Sequence, residues 1–167
     1  MKRRYTQALL VFVIFLVPVA LLHLYASLET GNALNRMGEQ IGLGEFRSTG
    51  GLPPGNPEYF DYVLSIVVEN PTDVEITVAV RGIDLAFDDI QLGSILINDE
   101  TTVEPRGEGE LAGQLRITKS TLDKLRSRGE VEMTLDGEVN LTASFLWVSR
   151  SDYLPHGINL SRKILFE

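Results

Sequence analysis

The stretch Val74-Glu75-Ile76-Thr77-Val78-Ala79-Val80-Arg81 decides the fold. Branched aliphatic residues stand at every second position, opposed by Glu75, Thr77 and Arg81. Side chains along a strand alternate between its two faces, so this pattern reads as a β-strand with one buried and one wet face. The same alternation recurs on both sides of it. Upstream, Tyr62, Leu64, Ile66 and Val68 share a face. Downstream come Ile83, Leu85 and Phe87, then Ile95 and Ile97, then Leu111, Leu115 and Ile117 set against Gln114, Arg116 and Thr118. Val131, Met133 and Leu135 alternate with Glu130, Glu132 and Thr134. Val139, Leu141, Ala143, Phe145 and Trp147 make the longest stripe, which places Phe145 and Trp147 in the expected core, and Ile164 and Phe166 end the series.

Turn-forming residues separate these runs: Asn70-Pro71-Thr72-Asp73, Asn98-Asp99-Glu100, Pro105-Arg106-Gly107-Glu108-Gly109 and Asp136-Gly137. Short strands at such spacing predict an all-β protein, an antiparallel two-sheet sandwich. One segment departs from period two. Residues 119–128 carry Leu122 and Leu125 three apart, with Ser120 placed to cap, Asp123 three residues later and Gly129 placed to terminate. That predicts a short helix between two strands.

The ordered set of these signals resembles the type 2 late embryogenesis abundant family, also called the water-stress and hypersensitive-response (WHy) domain. The carrying residues are a strand ending in Asn-Pro (Ser65-Ile66-Val67-Val68-Glu69-Asn70-Pro71), the alternating strand straight after it, Leu85-Ala86-Phe87-Asp88-Asp89-Ile90-Gln91-Leu92-Gly93, and Thr102-Val103-Glu104-Pro105-Arg106-Gly107. A strand, a short helix, a strand and Gly137 opening another long strand complete the order, over roughly residues 60–166. The resemblance implies a two-sheet sandwich with one small helix, similar to fibronectin type III and immunoglobulin-like domains. It further implies a role in stress or desiccation tolerance without an active site. The family normally has a strand before the one that ends in Asn-Pro. Here that stretch is rich in Gly and Pro, with Phe46 and its neighbours as the candidate strand.

The chain begins differently. No residue in 5–28 carries a formal charge if His23 is neutral, and residues 9–22 hold twelve Leu, Ile, Val or Phe. At roughly −0.4 kcal/mol each, these supply about −5 kcal/mol for membrane insertion. About 20 residues are needed to cross the hydrocarbon, and residues 8–28 provide 21. A cleaved signal peptide has the same outline, but its cleavage site needs small residues at −3 and −1. Cutting after Ala26 puts Leu24 at −3, and cutting after Ser27 puts Tyr25 there. The segment therefore reads as a retained single-pass helix, kinked by Pro18. Lys2, Arg3 and Arg4 precede it and should stay in the cytoplasm, which places the body outside. The expected organisation is a basic start and transmembrane helix over 1–28, a stalk over 29–57 and the sandwich over 58–167. Leu34, Met37 and Ile41 fall at helical spacing, so the stalk reads either as a continued helix or as an extended chain.

After residue 28 the chain holds 12 basic and 23 acidic residues, a formal charge of −11. Such a body repels nucleic acid and anionic headgroups, so nucleic-acid binding is not expected. Hydrophobic residues make up 44%, enough for a core, and the absence of cysteine excludes disulfides and thiolate chemistry. His23 lies in the apolar run and His156 in a turn, each without a second histidine nearby. Asp84, Asp88 and Asp89, with Asp99 and Glu100 one hairpin away, could offer oxygen ligands to calcium, but the alternation of Asp84 and Asp88 with Ile83, Leu85 and Phe87 reads as a wet strand face. No nucleophile elbow or phosphate-binding loop is present. The expectation is a non-enzyme with no catalytic, metal or cofactor site and no small-molecule substrate. Asn140 and Asn159 head two N-glycosylation sequons and are expected to face water. The functional expectation is a membrane-anchored, extracytoplasmic stress-protection or binding module with unidentified protein partners. The alternative is a structural accessory subunit of a membrane or cell-surface assembly.

Overall fold

A computed structural model describes residues 2–49, 58–95, 97, 100–154 and 157–166. Among them the chain forms α1 (Lys2–Arg36), a 3-10 turn (Met37–Glu39), β1 (Ile41–Ser48), β2 (Tyr59–Glu69), β3 (Glu75–Phe87), β4 (Ile90–Ile95), β5 (Glu100–Val103), β6 (Glu108–Thr118), α2 (Lys119–Arg128), β7 (Glu130–Phe145), β8 (Val148–Tyr153) and β9 (Ile158–Leu165). All the strand pairings are antiparallel. A three-stranded sheet runs β1-β2-β6, and a six-stranded sheet runs β4-β3-β7-β8 with β5 also on β3 and β9 also on β7. This is the expected two-sheet sandwich with one short helix and one long apolar helix before it. The period-two residues fill the space between the sheets: Leu64, Ile66, Ile76, Val78, Ile83, Phe87, Ile117 and Leu135 are fully buried.

The long central strands bend at one point, where the register of β3 against β7 slips between Arg81 and Asp84 and Gly82 takes a φ of 58°. Gly137 lies opposite. A Cβ there would sit 3.2 Å from Ile83 Cγ1 and 3.3 Å from Ile83 Cα. The pair Asp136-Gly137, expected as a turn, is therefore the interior of a single 16-residue strand. The glycine admits the bulged neighbour instead of reversing the chain.

Three further expectations are corrected. First, the boundary at residue 58 is too late: the described part of the expected stalk, residues 29–49, forms both the continued helix and the candidate strand around Phe46. This part supplies the end of α1 and the whole of β1, which pairs with β2 from Ile41↔Val68 to Ser48↔Tyr62. Phe46 in β1 stacks on Tyr62 at 5.0 Å between ring centroids and meets Phe87 and Phe166 edge-on, closing one end of the core. The unit thus begins within α1, well before residue 58. Second, Trp147 is not in the core: it is 57% exposed. β7 ends at Phe145, and Leu146 and Trp147 form the two-residue turn into β8, so the stripe loses its alternation at the hairpin. Third, α2 is capped by Thr118 rather than Ser120. The last residue of β6 stays extended, and its hydroxyl accepts from the Thr121 N–H at 3.2 Å. Gly129 ends the helix at a φ of 78°, as expected.

Asn70 of the Asn-Pro pair is a buried polar clamp. Its Nδ2 lies 2.8 Å from the Val74 carbonyl and 3.1 Å from those of Val103 and Glu104, to which it donates. Its Oδ1 accepts from the Thr72 N–H at 3.1 Å and hydroxyl at 2.7 Å. One amide thereby joins the β2–β3 turn to the β5–β6 connection and satisfies backbone groups that burial would otherwise leave unpaired.

Candidate functional site

The features from which a function can be argued lie where α1 meets the sandwich. From Phe12 to Tyr25 the large apolar side chains of α1 are exposed, Phe15 by 71% and Leu21 by 61%. This stretch belongs to a helix long and apolar enough to cross a membrane. From Ala26 onward one face of the same helix becomes part of the core through Ala26, Thr30, Ala33 and Leu34, continued by Met37 in the 3-10 turn. Their spacing keeps them on one face. Small residues let the helix approach the sheet closely, and the buried Thr30 hydroxyl donates to the Ala26 carbonyl at 3.0 Å, so it needs no partner from the body. The junction is therefore one continuous helix, wet with lipid-type side chains at one end and packed into protein at the other.

The β7–β8 hairpin meets α1 at this transition. Tyr25 packs edge-on against Phe145 at 6.0 Å between ring centroids. The Trp147 indole Nε1–H donates to His23 Nδ1 at 3.2 Å. That bond places His23 as the tautomer protonated at Nε2 when neutral. Leu146 is 60% exposed beside it. Sequence reasoning missed this contact, treating His23 as an isolated histidine and Trp147 as core. A signal was present: residues 139–151 carry no acid and a single arginine, in a body of formal charge −11.

Four surface aspartates are held by arginines. Arg128, at the end of α2, donates to Asp89 and to Asp88 Oδ2 (3.5 Å), while Asp88 Oδ1 accepts from the Glu132 N–H at 2.9 Å. The Arg128 hydrogen bond holds the Asp89 carboxyl below its ordinary range. Arg116 does the same to Asp61, and Arg106 to Asp73, each through a side-chain hydrogen bond first and its charge in addition. Asp99 and His156 lie outside the described residues. Among the described residues no three His, Asp or Glu side chains converge as a cation-binding set. An open groove beside the β3 bend is lined by Arg81, Asp84, Asp136, Glu138 and Tyr153. The two sequons differ. Asn159 is exposed, whereas Asn140 is half-buried in β7 between Ala79 and Tyr153, with an Oδ1 that has no partner among the described residues.

No protein-family model and no curated protein matches the chain. Solved structures that resemble it include a protein from Archaeoglobus fulgidus, 14% identical, with a TM-score of 0.40 over 75% of this chain and 98% of that one. Another is a protein from Arabidopsis thaliana, 11% identical, with a TM-score of 0.44 over 77% of this chain and 82% of that one. A third is a candidate late embryogenesis abundant (LEA) protein, 10% identical, with a TM-score of 0.43 over 91% of this chain and 87% of that one. All three are distant likenesses.

Proposed function

We propose that this protein is a membrane-anchored, extracytoplasmic, non-catalytic module of the type 2 late embryogenesis abundant kind, which protects the envelope or binds a partner there under water stress. The observation that carries this reading is the continuity of α1, exposed and apolar to Tyr25 and buried in the sandwich from Ala26. A cleavable leader would have no reason to be part of the core. The basic residues before the helix favour a cytoplasmic start. The Asn-Pro clamp, the short helix between β6 and β7 and the long glycine-containing strand accord with the family pattern read from the sequence. The acidic surface supplies hydration and charge repulsion next to the bilayer, properties spread over many residues.

The reading is tested by survival of a deletion strain under drying, salt or heat, rescued by variants. Glu132→Gln and Glu110→Gln, both on exposed strand positions, should rescue like the parent. Met37→Ala, which opens the core, should not. A single surface substitution that abolishes rescue at normal membrane level would replace a distributed surface effect with a discrete site.

A second reading, a subunit of a larger membrane assembly, is favoured by β8, which ends its sheet and has five of its six residues exposed. Such edges accept strands from partners. A complex far larger than one chain in mild detergent would select this reading.

A further inference from the structure

We infer that the tip of the β7–β8 hairpin, Leu146 and Trp147, is a second membrane contact that inserts into the outer interface of the bilayer and fixes the seat of the sandwich on it. The inference rests on α1 being the membrane span proposed above. The level of the tip is set by its bond to His23 and by the Phe145–Tyr25 contact. A helix rises about 1.5 Å per residue, so about 20 residues cover the ~30 Å hydrocarbon. Counted from Tyr5, the first residue after the basic cluster, that length ends at Leu24, alongside the tip. Counted back from Glu29, the first acidic residue of the chain, the hydrocarbon covers residue 23 itself and the tip lies deeper. Both limits put Leu146 and Trp147 at or below the interface rather than in bulk water.

The chemistry of the tip suits that place. Leu146 and Trp147 are 60% and 57% exposed, and Tyr25 beside them is 52% exposed. Tryptophan and tyrosine concentrate at membrane interfaces, where an apolar ring and a polar N–H or O–H both find partners. The hairpin also lacks the acidic residues found elsewhere on the body: none occurs in 139–151, and Arg150 is its one charge. Leu146 provides a separate indication. Its φ is +55°, a left-handed conformation that Asn, Asp or Gly adopts readily and leucine does not. A turn optimised for water would carry one of those residues. An apolar side chain kept in a strained turn and aimed outward indicates a contact that favours it. Two attachments, a helix and a hairpin tip, restrict the body's swivel and present a defined face to the exterior.

Trp147 is the chain's single tryptophan and so reports on itself. The full chain is reconstituted in phosphatidylcholine vesicles with and without brominated acyl chains, and iodide is added to the aqueous phase. The expected result is blue-shifted emission that loses most of its intensity to lipids brominated near the headgroup, loses less to lipids brominated at the chain ends, and resists iodide. Leu146→Asn should leave the fold intact, red-shift the emission and reduce the bromolipid quenching several-fold. Co-flotation of the protein with vesicles after carbonate washing reports separately on α1. Retained flotation with water-like, iodide-quenched emission would overturn the hairpin contact while leaving the anchor in place. Loss of flotation would remove both. Emission shielded from iodide and from bromolipids alike would mean that the tip is covered by protein, which also overturns the inference.

Discussion

Replacing Asn70 should destabilise the sandwich more than its size suggests. The side chain is 1% exposed. Its two amide hydrogens serve three carbonyls within 3.1 Å, and its Oδ1 accepts two bonds from Thr72. Asn70→Ala removes about four well-formed bonds. At a net worth near 1 kcal/mol each, the loss is about 4 kcal/mol, before any penalty for backbone groups left unpaired. Against a typical domain stability of about 5–15 kcal/mol this is a large fraction. It corresponds to a fall in Tm of about 10 °C. Asn70→Asp is the sharper probe. It preserves shape and the bonds from Thr72, but it turns an anionic oxygen toward three carbonyls. Its folded-state pKa must then be raised above the unfolded value. The resulting penalty is complete above the folded pKa, shrinks as pH falls through it and vanishes below the unfolded pKa. The Asp variant should therefore be at least as unstable as Ala at neutral pH and regain stability in acid. The assay is chemical denaturation of the full chain in non-ionic detergent, followed by the circular dichroism of the sheets. A loss under about 1 kcal/mol for Asn70→Ala, or full stability of Asn70→Asp at neutral pH, would refute the clamp.

Other outcomes follow from the same structure. Met37→Ala, at a fully buried site in the 3-10 turn that follows α1, should cost about 2–5 kcal/mol by the same denaturation measurement, and a fragment starting at residue 58 should lose this packing altogether and aggregate. Trp147→Ala should cost under about 1 kcal/mol, because its ring is outside the core, and it should abolish intrinsic tryptophan emission without altering the fold. The carboxyls of Asp61, Asp73 and Asp89 are all held low by arginines. Their small stabilising contributions are present above the ordinary carboxylate range and are lost as pH falls through their lowered values, so an acid titration should show a shallow, salt-sensitive decline in stability.

The parts of this fold written in local sequence were legible, and those fixed by distant neighbours were not. β6 alternates throughout, β2 and β3 alternate over Tyr62–Val68 and Val74–Val80, and α2 carries Leu122, Leu125 and a terminating Gly129, so each could be read in isolation. Of β1 only the part around Phe46 could be read as a candidate strand, because Gly42 and Gly44 interrupt its pattern. Gly44 is required there by a neighbouring strand, since a Cβ would lie 2.4 Å from Ser65 Oγ. The continuity of β7 through Gly137 depends on the bulge in β3, over 50 residues earlier. The exposure of Trp147 depends on where β8 begins to pair, not on the stripe that leads to it. At the end of α1 and in the turn after it, Leu34 and Met37 announced helical spacing, but Ala26 and Thr30 are too small or too polar to mark a packing face by hydropathy. Of the candidate site, the apolar segment was readable, whereas the bond between residues 23 and 147 was a tertiary fact.

The central claim is that one helix both crosses the membrane and joins a body held outside it. The chain has no cysteine, which permits a direct test by single cysteines and a membrane-impermeant maleimide on intact cells. Ser127→Cys, on an exposed position at the end of α2, should label fully without lysis. A cysteine added before Met1 should label only after lysis, with both variants remaining in the carbonate-washed membrane. Labelling of the N-terminal cysteine on intact cells with Ser127→Cys protected, or recovery of a labelled body in the medium, would contradict the account.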